Sequence, residues 1–249
     1  MGSILKIKKE DGGVIMVKVC VLSGGLDSTV ATLAAKLEGD DIYTLTFDYG
    51  QRAAIREINA ARKISEVLGA KHKIIKLPFL REFGGSALTE RDRSVPELKE
   101  EELDNLEITR ETMRSVWVPG RNLVMFSIAS SFAESLGGGE VYTGLNREEG
   151  TTFPDNTLEF VDRFNHLLEY STIRDVKLIA PLYNLDKAEI IRYGRELEEK
   201  LGVEVLKYSY SCYHDNGEDF LHCGVCESCV RRKRAFKEAG VKDPTKYLR

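Results

Sequence analysis

Apolar and polar positions along the chain fall into blocks whose period switches between two and nearly four. Residues 16–22 (MVKVCVL) are rich in β-branched side chains and stop at Gly24-Gly25, which predicts a buried strand followed by a tight turn. Residues 28–37 (STVATLAAKL) then take helical spacing. The order repeats, with a strand at 41–47, a helix at 53–68 ended by Gly69, and a strand at 71–77 ended by Pro78. Further on, the pattern predicts helices over about 123–136, 157–170, 187–201 and 227–239, and strands at 140–143 and 176–179. Such alternation predicts an α/β protein, a parallel Rossmann-like sheet with helices on both faces, whose ligands bind outside the carboxyl ends of the strands.

Two segments break the alternation. Residues 81–115 are charged and weakly periodic, which predicts a solvated insertion or a mobile lid. Residues 1–15 form either a dispensable extension or a hairpin, Leu5-Lys6-Ile7 against Val14-Ile15-Met16 across Asp11-Gly12-Gly13. Three regions result: 1–15, a main domain over 16–205 that carries the 81–115 insertion, and a tail over 206–249.

The chain has 249 residues, 42% of them hydrophobic and 31% charged, the composition of a globular protein able to bury one sizeable core. Its net charge of −4 argues against a protein that coats nucleic acid, since phosphate binding draws on clustered Lys and Arg. No run approaches the ~18 uninterrupted apolar residues of a membrane span. The opening MGSILKIKKEDGGVI is charged throughout and lacks the apolar region of a secretory signal, so a cytoplasmic protein is expected. Of the five cysteines, Cys20 stands in an apolar strand, where a core role is expected, and four crowd into the tail. Closely packed thiols in a cytosolic chain point to a metal rather than to disulfides.

Ser23-Gly24-Gly25-Leu26-Asp27-Ser28 links the first strand to the first helix. Its backbone N–H groups and the helix dipole converge on one anion site, to which Ser23, Ser28 and Thr29 add hydroxyls. The two glycines would let the backbone approach phosphate oxygens. It is not a Walker loop, having neither that spacing nor a lysine at the helix start. A carboxylate facing a phosphate is repulsive by itself, so Asp27 is read as a Mg2+ ligand or an orienting acceptor. Three polar clusters lie at or beyond other predicted strand ends: Phe47-Asp48-Tyr49-Gly50-Gln51-Arg52, Tyr142-Thr143-Gly144-Leu145-Asn146, and Phe153-Pro154-Asp155. Trp117-Val118-Pro119-Gly120-Arg121-Asn122 precedes a helix and offers Arg121 as a bidentate fork for phosphate or carboxylate.

SGGLDS resembles the pyrophosphate loop of the N-type ATP pyrophosphatases. With FDYGQR, VPGRN, GLN, Pro181-Leu182 followed by Lys187-Ala188-Glu189-Ile190, Ser211-Cys212-Tyr213 and CGVCESCVRR, the chain from about residue 18 onward resembles the 7-cyano-7-deazaguanine synthase family, the QueC/ExsB group. Two places depart from the family pattern: Ala53 stands where a histidine is common, and residues 148–156 (EEGTTFPDN) where a DYSGYPDCR-like stretch is common. The resemblance implies an adenine nucleotide alpha hydrolase-like domain. It also implies a ligase that makes a nitrile from 7-carboxy-7-deazaguanine, ammonia and ATP through two adenylations, on the route to queuosine and archaeosine. The nucleotide would meet Leu22, Ser23, Gly24, Gly25, Leu26, Asp27, Ser28, Thr29, Asp48, Gln51, Arg121 and Asn122, with Asp27, Ser23 and Arg121 carrying catalysis. A homodimer, Mg2+ as a cofactor and no direct nucleic-acid contact are further expectations.

Cys212, then Cys223, Cys226 and Cys229 at CxxCxxC spacing, suit a closed tetrathiolate zinc site, structural because no coordination position stays open. His214 and His222 lie near enough to replace one sulfur, and an iron–sulfur cluster is the rival metal. The run Arg231-Arg232-Lys233-Arg234 is read as a solvated helix face. Competing functions are tRNA sulfur transfer or a divergent deazapurine ligase on the same fold, and a non-catalytic nucleotide sensor.

Overall fold

The computed structural model describes residues 16–39 and 41–249. The hairpin expected within residues 1–15 lies outside them. In chain order the elements are β1 (Val17–Val21), α1 (Leu26–Glu38), β2 (Ile42–Asp48), α2 (Ala54–Leu68), β3 (Lys71–Lys76), α3 (Pro78–Glu82), α4 (Leu106–Val116), α5 (Arg121–Ser135), β4 (Gly139–Tyr142), α6 (Arg147–Gly150), α7 (Leu158–Ser171), β5 (Val176–Ile179), α8 (Lys187–Leu201), β6 (Leu221–His222), α9 (Glu227–Ala239) and β7 (Lys246–Tyr247).

β1 to β5 form a parallel sheet in the order β3-β2-β1-β4-β5. Alternate residues of each strand face opposite layers, so a strand buried on both faces reads as a continuous apolar run. On one face Val17, Val19, Val141 and Leu178 pack with Met125, Phe126 and Ala129 of α5 and with Phe164 of α7. The other face of β1 and β4 turns Cys20 and Tyr142 toward Ala35 of α1. Burial pushes the Cys20 thiol up to about 12, so it is the core residue its strand predicts. β3 (KHKIIK) is an edge strand whose outward lysines discourage pairing with another chain.

A second apolar cluster joins α1, α2 and α8 to the tail. Val30, Leu33, Ile64, Ile190 and Leu197 pack with Leu206, Ala235 and Phe236, so α9 shares a core with α1, α2 and α8 of the main domain. The basic run on α9 is not a solvated face. Arg232 is buried and donates to the Ser209 hydroxyl at 2.9 Å and to Thr245 at 2.8 Å, while Arg231 and Arg234 pair with Glu227 and Asp104, each at 2.8 Å.

The charged segment 81–115 is mostly exposed, as expected of a solvated insertion, but it is also structured and anchored. It carries α4 and buries Ser86, Ala87, Leu88, Thr89, Val95 and Leu103. Arg52 holds it down, donating from Nε to the Ala87 carbonyl at 2.7 Å and from Nη2 to the Glu90 carbonyl at 2.5 Å. No helix among the described residues is long and apolar enough to cross a membrane.

Candidate functional site

After β1 the chain runs to one side of the sheet, and β4 and β5 fill the other side. In an open α/β sheet the crevice at that switch point is where ligands enter. A cavity of about 790 Å³ opens there; Ser23, Asp27, Gln51, Glu57, Arg121 and Lys187 all reach it.

Two glycines make the loops fit together. A Cβ on Gly24 (φ +85°) would lie 2.5 Å from the Glu57 carbonyl oxygen, so this position is glycine for packing against α2 as well as for its left-handed backbone. One on Gly144 would lie 2.7 Å from the backbone nitrogen of Ser28, so the loop after β4 touches the first turn of α1. That turn offers backbone N–H groups with no preceding helical carbonyl, the usual makings of an anion site. The Ser23 and Ser28 hydroxyls lie 2.9 Å apart, and Ser23 Oγ also accepts from the Gly25 N–H at 3.2 Å. The tail closes on the same loop, the Tyr210 N–H donating to the Gly24 carbonyl at 2.7 Å.

Of the residues expected to meet the nucleotide, Ser23, Gly25, Leu26, Asp27, Ser28, Gln51, Arg121 and Asn122 line the cavity. Leu22, Gly24, Thr29 and Asp48 do not. Leu22 is fully buried against the helices, its N–H donating to the Leu45 carbonyl of β2 at 2.9 Å. Thr29 is equally buried, its hydroxyl donating back to the Gly25 carbonyl at 2.6 Å. Asp48 Oδ1 accepts from the Gly50 N–H at 3.1 Å and so shapes the turn after β2. Gln51 is internally committed as well: its amide donates to Glu57 Oε2 at 2.7 Å and to the Phe47 carbonyl at 3.1 Å.

The charges that occupy the cavity include three residues given no role from sequence: Lys187, Glu149 and Glu57. The Lys187 ammonium contacts Asp27 Oδ2 and lies 3.0 Å from Glu149 Oε1. Burial by itself would lower the Lys187 pKa, but the two carboxylates outweigh it and hold it above its ordinary value. Asp27 Oδ1 is buried without a hydrogen-bond partner among the described residues. Glu148 and Glu149 belong to the stretch that departs from the family pattern, and Glu148 Oε1 accepts from the Lys187 backbone N–H at 2.8 Å. Lys187 had a local signal: it opens α8 directly after the cap residue Asp186, where the helix dipole disfavours a cation.

Arg121 opens α5. Its guanidinium donates to the Tyr49 hydroxyl at 3.3 Å and makes no direct carboxylate contact among the described residues, although Asp155 and Glu149 help to keep it charged. Trp117 and Phe153 stack at 6.0 Å and 17° on the cavity wall, an aromatic surface suited to a flat heterocycle.

The four tail cysteines are buried, with sulfur atoms all within 4.8 Å of one another. Cys223 and Cys229 lie 3.8 Å apart, Cys212 and Cys226 4.0 Å. A tetrahedron with metal–sulfur bonds of ~2.3 Å has edges of about 3.8 Å, so the set fits one tetrahedral ion. Backbone N–H groups of His214, Cys223, Val225 and Cys226 donate to the sulfurs at 3.3–3.4 Å, the contacts that stabilise thiolate charge. Neither histidine joins the set. His222 Nε2 accepts from the Ser211 N–H at 3.0 Å, and the His214 backbone N–H donates to Cys212 Sγ.

A glycine loop at a topological switch point, facing two half-buried cations and an aromatic wall, defines an α/β nucleotide-site protein with a separate set of four thiols that could hold a metal ion. The profile of the family described as "Queuosine biosynthesis protein QueC" matches residues 17–240, and the chain belongs to that family. It is 61% identical over 233 residues to the 7-cyano-7-deazaguanine synthase of Methanococcus aeolicus, covering 94% of this chain and 100% of that protein. Identity to the synthase of the same name from Methanocaldococcus jannaschii is also 61%, with the same coverage. Among solved structures, a 4-thiouridine synthetase–RNA complex with bound ATP superposes with a TM-score of 0.47 at 23% identity, over 92% of this chain and 51% of that one.

Proposed function

We propose that the chain is an ATP-dependent carbon–nitrogen ligase that converts 7-carboxy-7-deazaguanine and ammonia into 7-cyano-7-deazaguanine. The observation that carries the reading is the convergence of Arg121, Lys187 and the first turn of α1 on one cavity. One cation suits the carboxylate of the acid, the other the phosphates of ATP.

In the first step the carboxylate oxygen attacks the α-phosphorus, the bond to the β-phosphate oxygen breaks, and pyrophosphate leaves. Ammonia then attacks the acyl carbon and AMP departs with a carboxylate oxygen, leaving the amide. In the second round the amide oxygen is adenylated, and loss of AMP with the remaining N–H protons gives the nitrile. Arg121, backed by Tyr49, orients the carboxylate toward the α-phosphorus. Lys187, kept charged by Asp27 and Glu149, takes the charge that develops on the phosphates. The Ser23 and Ser28 hydroxyls and the N–H groups of α1 hold the departing pyrophosphate. The heterocycle lies against Trp117 and Phe153. Asp27 Oδ1, buried and unpartnered, is the oxygen that would hold Mg2+, which when bound neutralises phosphate charge.

The tail cysteines hold structural zinc in this reading. Sulfurs at 3.8–4.0 Å crowd around a single ion, whereas a cluster of several irons would keep its thiolates further apart. The enzyme acts as a cytoplasmic homodimer on small molecules, without direct nucleic-acid contact. The test is incubation with ATP, Mg2+, ammonium and the acid, following AMP and product mass. AMP release that depends on the acid, with a nitrile product, supports the reading, and AMP release indifferent to the acid overturns it. Metal analysis is expected to find about one zinc per chain; iron with visible absorbance would contradict the zinc assignment.

A further inference from the structure

The nucleophile presents a problem that the phosphate loop does not solve. Near neutral pH ammonia is almost entirely ammonium, which has no lone pair, so an acyl adenylate waits on a group that can take a proton. Among the residues that reach the cavity, Glu57 is placed for this. It sits on α2 where that helix abuts the loop, its carbonyl filling the space a Gly24 side chain would need. Its Oε2 accepts from the Gln51 amide at 2.7 Å, which fixes the carboxyl, and Oε1 has no protein partner among the described residues.

We propose that Glu57 is the residue that receives the nitrogen nucleophile: Oε1 accepts a hydrogen bond from ammonium and takes one of its protons. The inference rests on the ligase reading above. In the step, an N–H bond of ammonium breaks and its proton goes to Glu57. The freed lone pair forms the C–N bond, the C–O bond to AMP breaks, and a second nitrogen proton leaves with the AMP phosphate.

The surroundings suit the task. Burial pushes the Glu57 carboxyl up to about 7, against the Gln51 hydrogen bond and the Arg121 guanidinium; the Asp48 charge adds to the rise. A carboxylate of that basicity accepts a proton from ammonium more readily than an ordinary surface glutamate. Arg121 and Glu57 line the same cavity and feel one another's charge, so the cation proposed to orient the acid and the proposed proton acceptor share one site.

Glu57→Gln keeps the size of the side chain and the possibility of a Gln51 contact but cannot accept a proton. Hydroxylamine separates the proposed role from a structural one, because it is already neutral at pH 7 and needs no base to attack an acyl adenylate. The expected result is that E57Q loses about a hundredfold in kcat/KM for ammonium, with acid-dependent pyrophosphate release and hydroxamate formation within about threefold of the wild type. Ammonium use that stays within about threefold, or adenylation and hydroxamate formation that fall in proportion to it, overturns the proposal. Should E57Q not fold, Glu57→Asp supplies the same readout: its ratio of ammonium to hydroxylamine reactivity falls if the carboxylate position matters, and an unchanged ratio overturns the proposal. A wild-type enzyme without acid-dependent pyrophosphate release would instead sink the ligase reading itself.

Discussion

Lys187, the first residue of α8, donates its ammonium proton to Asp27, the second residue of α1, across a separation of 160 residues, and meets Glu149 at 3.0 Å. Replacing it by methionine leaves the half-buried Asp27 and the more exposed Glu149 facing one another without a cation. Stability should fall by about 1–2 kcal/mol, and acid-dependent AMP release by at least about a hundredfold. Urea unfolding and steady-state turnover check the two effects separately; a stable K187M variant with normal turnover would remove Lys187 from the site.

Gly144 bears on the same helix start. An alanine there would set its methyl 2.7 Å from the Ser28 backbone nitrogen and 2.8 Å from the Asp27 carbonyl carbon, and backbone atoms cannot swing aside as a side-chain tip can. G144A is expected to lose about 2 kcal/mol and to raise KM for ATP more than KM for the acid, because the displaced element is the turn proposed to bind phosphate. Equal changes in both KM values would show that the turn does not hold the nucleotide.

Stability should also depend on pH through Glu57. Burial raises its carboxyl from 4.5 to about 7, so between those values the folded chain binds a proton that the unfolded chain has released. That contribution is fully present below pH 4.5 and is lost as pH rises through about 7. The neutral E57Q variant has no such titration. Relative to wild type it should therefore gain on the order of 2 kcal/mol between pH 5 and pH 8, measured by denaturant unfolding of the ligand-free protein. A difference that does not vary with pH would mean that the carboxyl is not desolvated as described.

The parts of the fold with local signals were legible in the sequence. β5, α8 and α9 have the predicted bounds, and the other main strands and helices differ by one or two residues at their ends. Their signals are chemical: β-branched runs, glycine stops, and the Asp186–Glu189 capping box of α8. α4 was hidden because its buried face is built from Thr109, Thr112 and Val116. The threonine hydroxyls are satisfied within the helix, Thr109 donating to the Asn105 carbonyl at 3.0 Å and Thr112 to Thr109 at 3.1 Å, so residues that look polar behave as packing groups. At the site, the phosphate loop, Arg121 and the cysteine cluster were visible as motifs. The Lys187 pairs with Asp27 and Glu149 were not, since they join separate loops through contacts made only in the folded chain. Glu57 was obscured by its place on an ordinary-looking amphipathic helix, where a glutamate reads as solvated surface.

The fate of the carboxylate oxygens tests the two adenylations most directly. With the acid labelled by oxygen-18 at both carboxylate positions, each turnover to the nitrile should yield two AMP molecules, each carrying one labelled oxygen in its phosphate. Unlabelled AMP formed together with the nitrile, with the heavy oxygen released to water, would contradict activation of the acid and of the amide by attack on the α-phosphorus.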